Sequence, residues 1–372
     1  MRPTQKVTPV TIGRKPKPIN KIGKIFGHIP DHGFMSMDGQ PQHCKITIPI
    51  IPSINGKIFL VTGGAGFIGS HIVSYLLDNG AKEVRVLDNL STGSLKNMEE
   101  YETSSSFKFI KGDITDYDTC FNACENVNGI FHNAALGSVS RSMQDPMATN
   151  DANVSGFINV LVAAKDQGVK RVVYASSSSV YGDDKSTEKQ EHITGNLLSP
   201  YAVSKKTDEL YADVFAKSYD MEIIGLRYFN VYGPKQNPNG AYAAVIPIFI
   251  SHLIKGVVPS IFGDGTTSRD FTFINNVVYA NVLAYSTANK EAINQVYNVA
   301  YGSSTSLNQL FDLIKANLKS NLKPDYKAER KGDIKNSLAN INKAKKLLGY
   351  EPLVNLQNGM DLTINWYRNN LD

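Results

Sequence analysis

KIFLVTGGAGFIGSHIVSYLLDNG, residues 57–80, is the stretch from which the fold can be read. The apolar run at 57–62 reads as a buried strand, the glycines after it as a tight turn, and FIGSHIVSYLLDNG as a helix with an apolar face. The turn parses as G-x-G-x-x-G from Gly64 or as Gly63-x-x-Gly66-x-x-Gly69. In either reading a phosphate drawn up to the backbone leaves no room for a Cβ, and the helix start offers unpaired N–H groups to an anion.

Outward from this unit the alternation continues. EVRVLD (83–88), FKFIKGD (107–113), GIFHNAA (129–135), KRVVYASS (170–177) and MEIIGLRYFN (221–230) read as strands, with helices near 116–126, 146–167 and 200–219. Strands separated by helices imply right-handed crossovers and a parallel sheet covered on both faces, an α/β doubly wound architecture. Asp88 ends the second strand nineteen residues after Gly69, where a carboxylate can hold adenosine ribose hydroxyls. Its charge would repel a 2′-phosphate, so NAD is expected rather than NADP. Asp113, ending the third strand, is a candidate for the adenine.

Ligands of such sheets lie beyond the carboxyl ends of the strands, which brings NAALGSVSRS, SSSSVYG and YFNVYGP over the nicotinamide. Next comes SPYAVSKKTDELYADVF (199–215), with Ser199 as N-cap, Pro200 at the first helical position, and Tyr201 and Lys205 one turn apart on one face. A phenol of pKa about 10 beside an ammonium and a helix N-terminus is lowered toward a working general base. Beside Ser177 it could take a hydroxyl proton while the geminal hydride leaves for NAD.

Composition sets the limits. With 372 residues, 42% hydrophobic and 20% charged, the chain suits one large or two smaller globular domains. No apolar run approaches the roughly 20 residues of a membrane span, and Cys44, Cys120 and Cys124 form no disulfide framework, so a cytoplasmic setting is expected. The net charge of +5 belongs to residues 1–56, where eight Lys/Arg meet two Asp. That basic, proline-rich segment is expected to be poorly structured, without the aromatic interleaving of a nucleic-acid binder or an amphipathic membrane helix. His28, His32, His43 and Cys44 match no standard metal spacing, and no metal is expected.

The motifs TGGAGFIGS, LDNLSTG, KGDI, HNAALGSVSRSMQDP, SSSSVYG, SPYAVSK, LRYFNVYGP, GDGTTSRDF and RKGDIKNS together resemble the extended short-chain dehydrogenase/reductases, specifically the sugar-nucleotide 4-epimerases, over about residues 57–365. The resemblance implies a Rossmann domain over 57–232 with a return segment at 270–300, and a smaller C-terminal α/β substrate domain from 233–269 and 301–372. It implies NAD held by Gly63, Gly66, Phe67, Ile68, Gly69, Asp88, Asn89, Asp113, Ile114, Ala134, Ala135, Tyr201 and Lys205. Ser177, Tyr201 and Lys205 take the catalytic places. A UDP-sugar would meet Ser138, Ser178, Ser179, Asn230, Arg269, Arg330, Asp333 and Ser337, the two arginines suiting a diphosphate. The helices at 146–167 and 200–219 would pair in a homodimer.

Two departures narrow the implied chemistry. Related 4,6-dehydratases carry an Asp-Glu pair directly after the catalytic Thr; here Ser178 and Ser179 stand there, which favours inversion over elimination. Where related epimerases place a sugar-restricting tyrosine, this chain has Ser337, which points to UDP-N-acetylglucosamine and UDP-N-acetylgalactosamine. Their uronic acid forms, UDP-glucose and UDP-glucuronate are the alternatives, and a non-catalytic NAD-binding sensor is the remote one. Precursor synthesis for polysaccharides or other glycans is the role the resemblance suggests.

Overall fold

The computed structural model describes residues 47–239, 243–329 and 335–371. Seven strands form the central sheet: β1 (Ile58–Thr62), β2 (Glu83–Asp88), β3 (Phe107–Lys111), β4 (Gly129–His132), β5 (Arg171–Ser177), β6 (Glu222–Tyr228) and β7 (Val296–Val299). Their order is β7-β6-β5-β4-β1-β2-β3, and every pairing is parallel. The chain winds outward from β1 to β3, then crosses back to lay β4 against the other side of β1. In that pairing Thr62 lies opposite His132. The reversal opens a crevice at the carboxyl ends of β1 and β4, the usual ligand position in such sheets.

Eleven α-helices run among the described residues: α1 (Phe67–Asp78), α2 (Tyr117–Ala123), α3 (Val139–Gln144), α4 (Pro146–Asn150), α5 (Gly156–Asp166), α6 (Pro200–Tyr219), α7 (Val245–Ile254), α8 (Ile274–Ser286), α9 (Leu307–Leu318), α10 (Asn342–Leu348) and α11 (Leu356–Asn370). Period-2 alternation sends neighbouring strand residues to opposite faces. Val61, Val173 and Leu226 share a core with α1, α8, α9 and α11, whereas Leu60, Ile130 and Val172 share one with Phe157 and Leu161 of α5 and Phe215 of α6.

One local reading is corrected, and two elements add detail to what was expected. The long helix expected near 146–167 is present as one unbroken run of α4, a π-helical turn at Asp151–Ser155, and α5. The segment after β4, where no helix was expected, contains α3, whose N-cap Ser138 accepts a hydrogen bond from the Arg141 N–H at 3.2 Å. Residues 47–56, placed in the poorly structured leader, instead pack on α1: Ile54 is fully buried, and the Tyr75 hydroxyl accepts from the Ile51 N–H and donates to the Pro49 carbonyl. His28, His32, His43 and Cys44 lie outside the described residues.

α6 buries charged residues beside the apolar Ala212 and Phe215 and leaves apolar ones exposed. Its inner face buries Lys205, Asp208 and Glu209, while Val203, Leu210 and Val214 are half or more exposed. Above the strand ends, four short segments make a second sheet in the order Thr305–Ser306, Ser268–Arg269, Asn336–Ala339, Glu188–Lys189. The last of these comes from the connection between β5 and α6.

Candidate active site

The turn after β1 uses the Gly63-x-x-Gly66-x-x-Gly69 parse. Gly63 has φ +67, and a Cβ there would stand 2.6 Å from the Ala134 nitrogen; at Gly69 it would stand 2.2 Å from the Gly63 carbonyl oxygen. Backbone approach thus excludes any side chain at either position. Gly66 is the N-cap residue of α1, which has neither a side-chain cap nor an acidic residue in its first turn. The N–H groups of that turn are therefore left for an external anion.

These glycines border a cavity of about 1380 Å³ at the strand ends. Gly63, Gly66, Phe67, Ile68, Gly69, Asp88, Asn89, Asp113, Ile114, Ala134, Ala135, Ser138, Ser177, Ser178, Ser179, Tyr201, Lys205, Asn230, Arg269 and Ser337 all line it. Arg330 and Asp333 lie outside the described residues. One space thus gathers side chains spread over more than 270 positions of sequence, from Gly63 to Ser337.

On the β2–β3 side, Asp88 accepts from the Ala65 N–H at 3.0 Å and the Leu90 N–H at 2.8 Å. Burial raises its pKa against those two bonds. Asn89 donates to Asp113 at 2.7 Å. Burial also pushes Asp113 up, but the hydrogen bonds from Thr115 and Asn89 prevail and hold it below its ordinary value.

On the β5 side, α6 starts as its sequence directs. Ser199 Oγ accepts from the Ala202 N–H at 3.1 Å, and Pro200 fills the first turn. Ser177 Oγ accepts from the Ser179 N–H at 3.1 Å, and Ser179 Oγ is buried without a partner among the described residues. Lys205 is 1% exposed, and its Nζ lies 3.0 Å from Asp208 Oδ2. Burial pushes Asp208 up to about 6, even though the Lys205 charge pulls the other way. Beneath this pair, Glu209 receives Arg227 in a two-pronged contact, Nε at 2.8 Å and Nη2 at 2.9 Å, and also the Ser176 hydroxyl at 2.7 Å. Burial opposes ionisation of Glu209, but the Arg227 bonds and charge hold its pKa below the ordinary value. This network locks α6 onto β5 and β6 and fixes where its first turn stands.

Across the cavity, Arg269 pairs in parallel register with Ser337. Asn230 sits at φ +35 and donates to the Asp270 carbonyl at 3.0 Å. The fully buried Asp270 carboxylate accepts from the N–H groups of Gly302 at 3.1 Å, Tyr301 at 3.2 Å and Ala339 at 3.3 Å. Burial raises it to about 7 against those bonds. The carboxylate therefore ties together the strands that carry Arg269 and Ser337.

Sequence reasoning missed Asn153, Asp208 and His132. Asn153 lies in the π turn, accepts from the Leu136 N–H at 2.7 Å and donates to Ser204 Oγ at 3.0 Å, linking the loop after β4 to α6. Its one signal would have been an asparagine at an inward position of a helix leading to the ligand end, where π turns concentrate. His132 Nδ1 lies 2.9 Å from Thr62 Oγ1, and burial, with the Lys205 charge, pushes this ring down to about 3.

Residues 59–300 match the NAD-dependent epimerase/dehydratase family. A UDP-glucose 4-epimerase of Mycolicibacterium smegmatis is 38% identical over 83% of this chain and 98% of its own length. A UDP-glucuronate 4-epimerase of Thermodesulfobacterium geofontis is 34% identical over 84% and 97%. Among solved structures, the UDP-N-acetylglucosamine 4-epimerase of Methanobrevibacter ruminantium, in complex with UDP-N-acetylmuramic acid, superposes with a TM-score of 0.81 at 37% identity, covering 85% of this chain and 100% of that one. The chain belongs to the NAD-dependent epimerase/dehydratase family. Its residues fit that cofactor: an uncapped helix start for the diphosphate, glycines where a Cβ would clash, and carboxylates ending or following the adjacent strands. Among the described residues no cluster of His, Cys, Asp or Glu could hold a metal ion, and no helix is long and apolar enough to cross a membrane.

Proposed function

We propose that this chain interconverts the C4 epimers of a UDP-sugar, with UDP-N-acetylhexosamines as its preferred substrates. The observation that carries the reading is the shared cavity wall of Ser177, Tyr201 and Lys205, followed by Ser178 and Ser179 in place of an acid pair. The carboxylates among the described lining residues are Asp88, Asp113 and Asp151, which leaves no acid beside Ser177 to expel water.

Tyr201, as phenolate, accepts the proton of the sugar 4-hydroxyl, directly or through the Ser177 hydroxyl. The Lys205 ammonium and the positive end of α6 would stabilise the negative charge that develops in the proton transfer. Gly63–Gly69, Asp88 and Asp113 would hold NAD, which would supply a reversible hydride acceptor for C4, so that the cycle has no net oxidation. Arg269 holds the diphosphate while the 4-keto sugar turns, and Tyr201 then gives the proton back to O4. Arg330, Asp333, Asn230 and Ser138 complete the sugar-nucleotide contacts in this reading.

The substrate preference is supported by the small side chain of Ser337 next to Arg269, and by the solved UDP-N-acetylglucosamine 4-epimerase named above. UDP-glucose and UDP-glucuronate remain the alternatives that the other relatives' names suggest. Incubating the protein with UDP-N-acetylglucosamine, its uronate, UDP-glucose and UDP-glucuronate and resolving the C4 epimers tests both levels. Turnover of none sinks the activity, and faster turnover of UDP-glucose or a uronate sinks the preference.

The same reading includes a homodimer. Val203, Leu210 and Val214 of α6, with Met143 of α3 and Met147 of α4, leave an apolar surface exposed where these helices pack together. Light scattering on the purified protein should give twice the chain mass, and Leu210→Asp should halve it.

A further inference from the structure

The Lys205–Asp208 pair is enclosed, with side-chain exposures of 2% and 0%. Asp208 Oδ2 is the hydrogen-bond partner of Nζ among the described residues, while Asp208 Oδ1 is buried with no partner. An exposed pair at this spacing stabilises a helix by only tenths of a kcal/mol. Buried, and with an oxygen left unsatisfied, it costs desolvation that the attraction does not reliably return. Stability therefore does not account for an aspartate here.

The placement suggests another reason. Tyr201, Lys205 and Asp208 follow one another along one face of α6, four and then three residues apart. We propose that Asp208 is a positioning residue that holds the Lys205 ammonium and sets the net charge beside Tyr201. The inference rests on the reading of Tyr201 as the base. One of the three ammonium hydrogens is committed to Oδ2, which fixes the direction of the other two. The carboxylate charge also partly offsets the field of the ammonium at the phenol. The titratable and charged groups around the pair are Glu209 on the same helix, His132 on β4, Tyr174 on β5, and Arg227 on β6 through Glu209.

Asp208→Asn keeps the size and an acceptor for Nζ but removes the charge. Two helical turns separate residues 201 and 208, about 10 Å, so the ionisation of Tyr201 should move down by roughly half to one pH unit. The shift should appear twice: in an ultraviolet difference titration of the resting protein, with Tyr201→Phe subtracted, and in the rising limb of kcat against pH. Asp208→Ala should shift both the same way and also lower kcat roughly tenfold, because the ammonium is no longer held.

A lowered Tm in Asp208→Asn with both traces unmoved overturns the proposal, since Asp208 then only packs. Should that variant not fold, the unaltered protein decides: neutralising Asp208 with acid must shift the Lys205 Nζ resonance of isotope-labelled protein with an inflection at about pH 6. A flat trace overturns the proposal. If Tyr201→Phe retains turnover, the base assignment itself falls; if it is inactive while Asp208→Asn changes neither trace, only the role of Asp208 falls.

Discussion

Replacing Tyr201 by Phe deletes one oxygen from a wall that Ser177 and Lys205 also line. If that oxygen is the base, kcat should fall by about two to four orders of magnitude. Calorimetric affinity for the UDP-sugar should stay within about threefold, and turnover close to that of the unaltered protein would refute the assignment. Ser337→Tyr places a bulky ring next to Arg269. It should lower kcat/KM for N-acetylated sugars at least about tenfold and leave UDP-glucose nearly unaffected; equal losses on both would count against a size gate. Both residues could be found in the sequence because the motif around each is local. Asp208 could not, because an aspartate within KKTDE reads as a solvated helix residue, and only the tertiary structure reveals that Asp208 and Glu209 face inward beside Lys205.

At the scale of elements, the cap on α6 bears directly on the chemistry. Ser199→Ala removes the acceptor for the Ala202 N–H and should cost about 0.5–2 kcal/mol in urea unfolding. An unchanged midpoint would mean that the cap contributes nothing. The unit from β1 through α1 was legible because its constraints act within a dozen residues: strand, positive-φ glycine, uncapped helix start. The π turn at Asp151–Ser155 was not, since its sequence keeps a helical period and the extra residue answers to contacts with α6 and the loop after β4. α3 was hidden for a related reason: its caps and polar residues resemble a loop until Ser138 and Arg141 meet.

For the whole molecule, two buried carboxylates set a pH trend. Asp208 and Asp270 have native pKa values raised to about 6 and about 7, above the unfolded value, so between about pH 4 and those values the native state binds more protons than the unfolded one. Their contribution is most favourable at low pH and declines as pH rises through that window, by up to about 1.4 kcal/mol per unit for each group. Asp270→Asn should remove one such slope. Urea unfolding at several pH values checks this, and parallel curves for the two proteins would refute it. Groups held low, such as Asp113 and Glu209, act in the opposite sense and are lost on acidification.

Val296–Val299 closes one edge of the central sheet, and the segment bearing Ser337 comes later still. During translation, the ribosome will therefore have released most of the nascent chain before the crevice has its second side. Until then β6 keeps one free edge of unpaired N–H and C=O groups, and a nascent polypeptide in that condition is a natural client for chaperones.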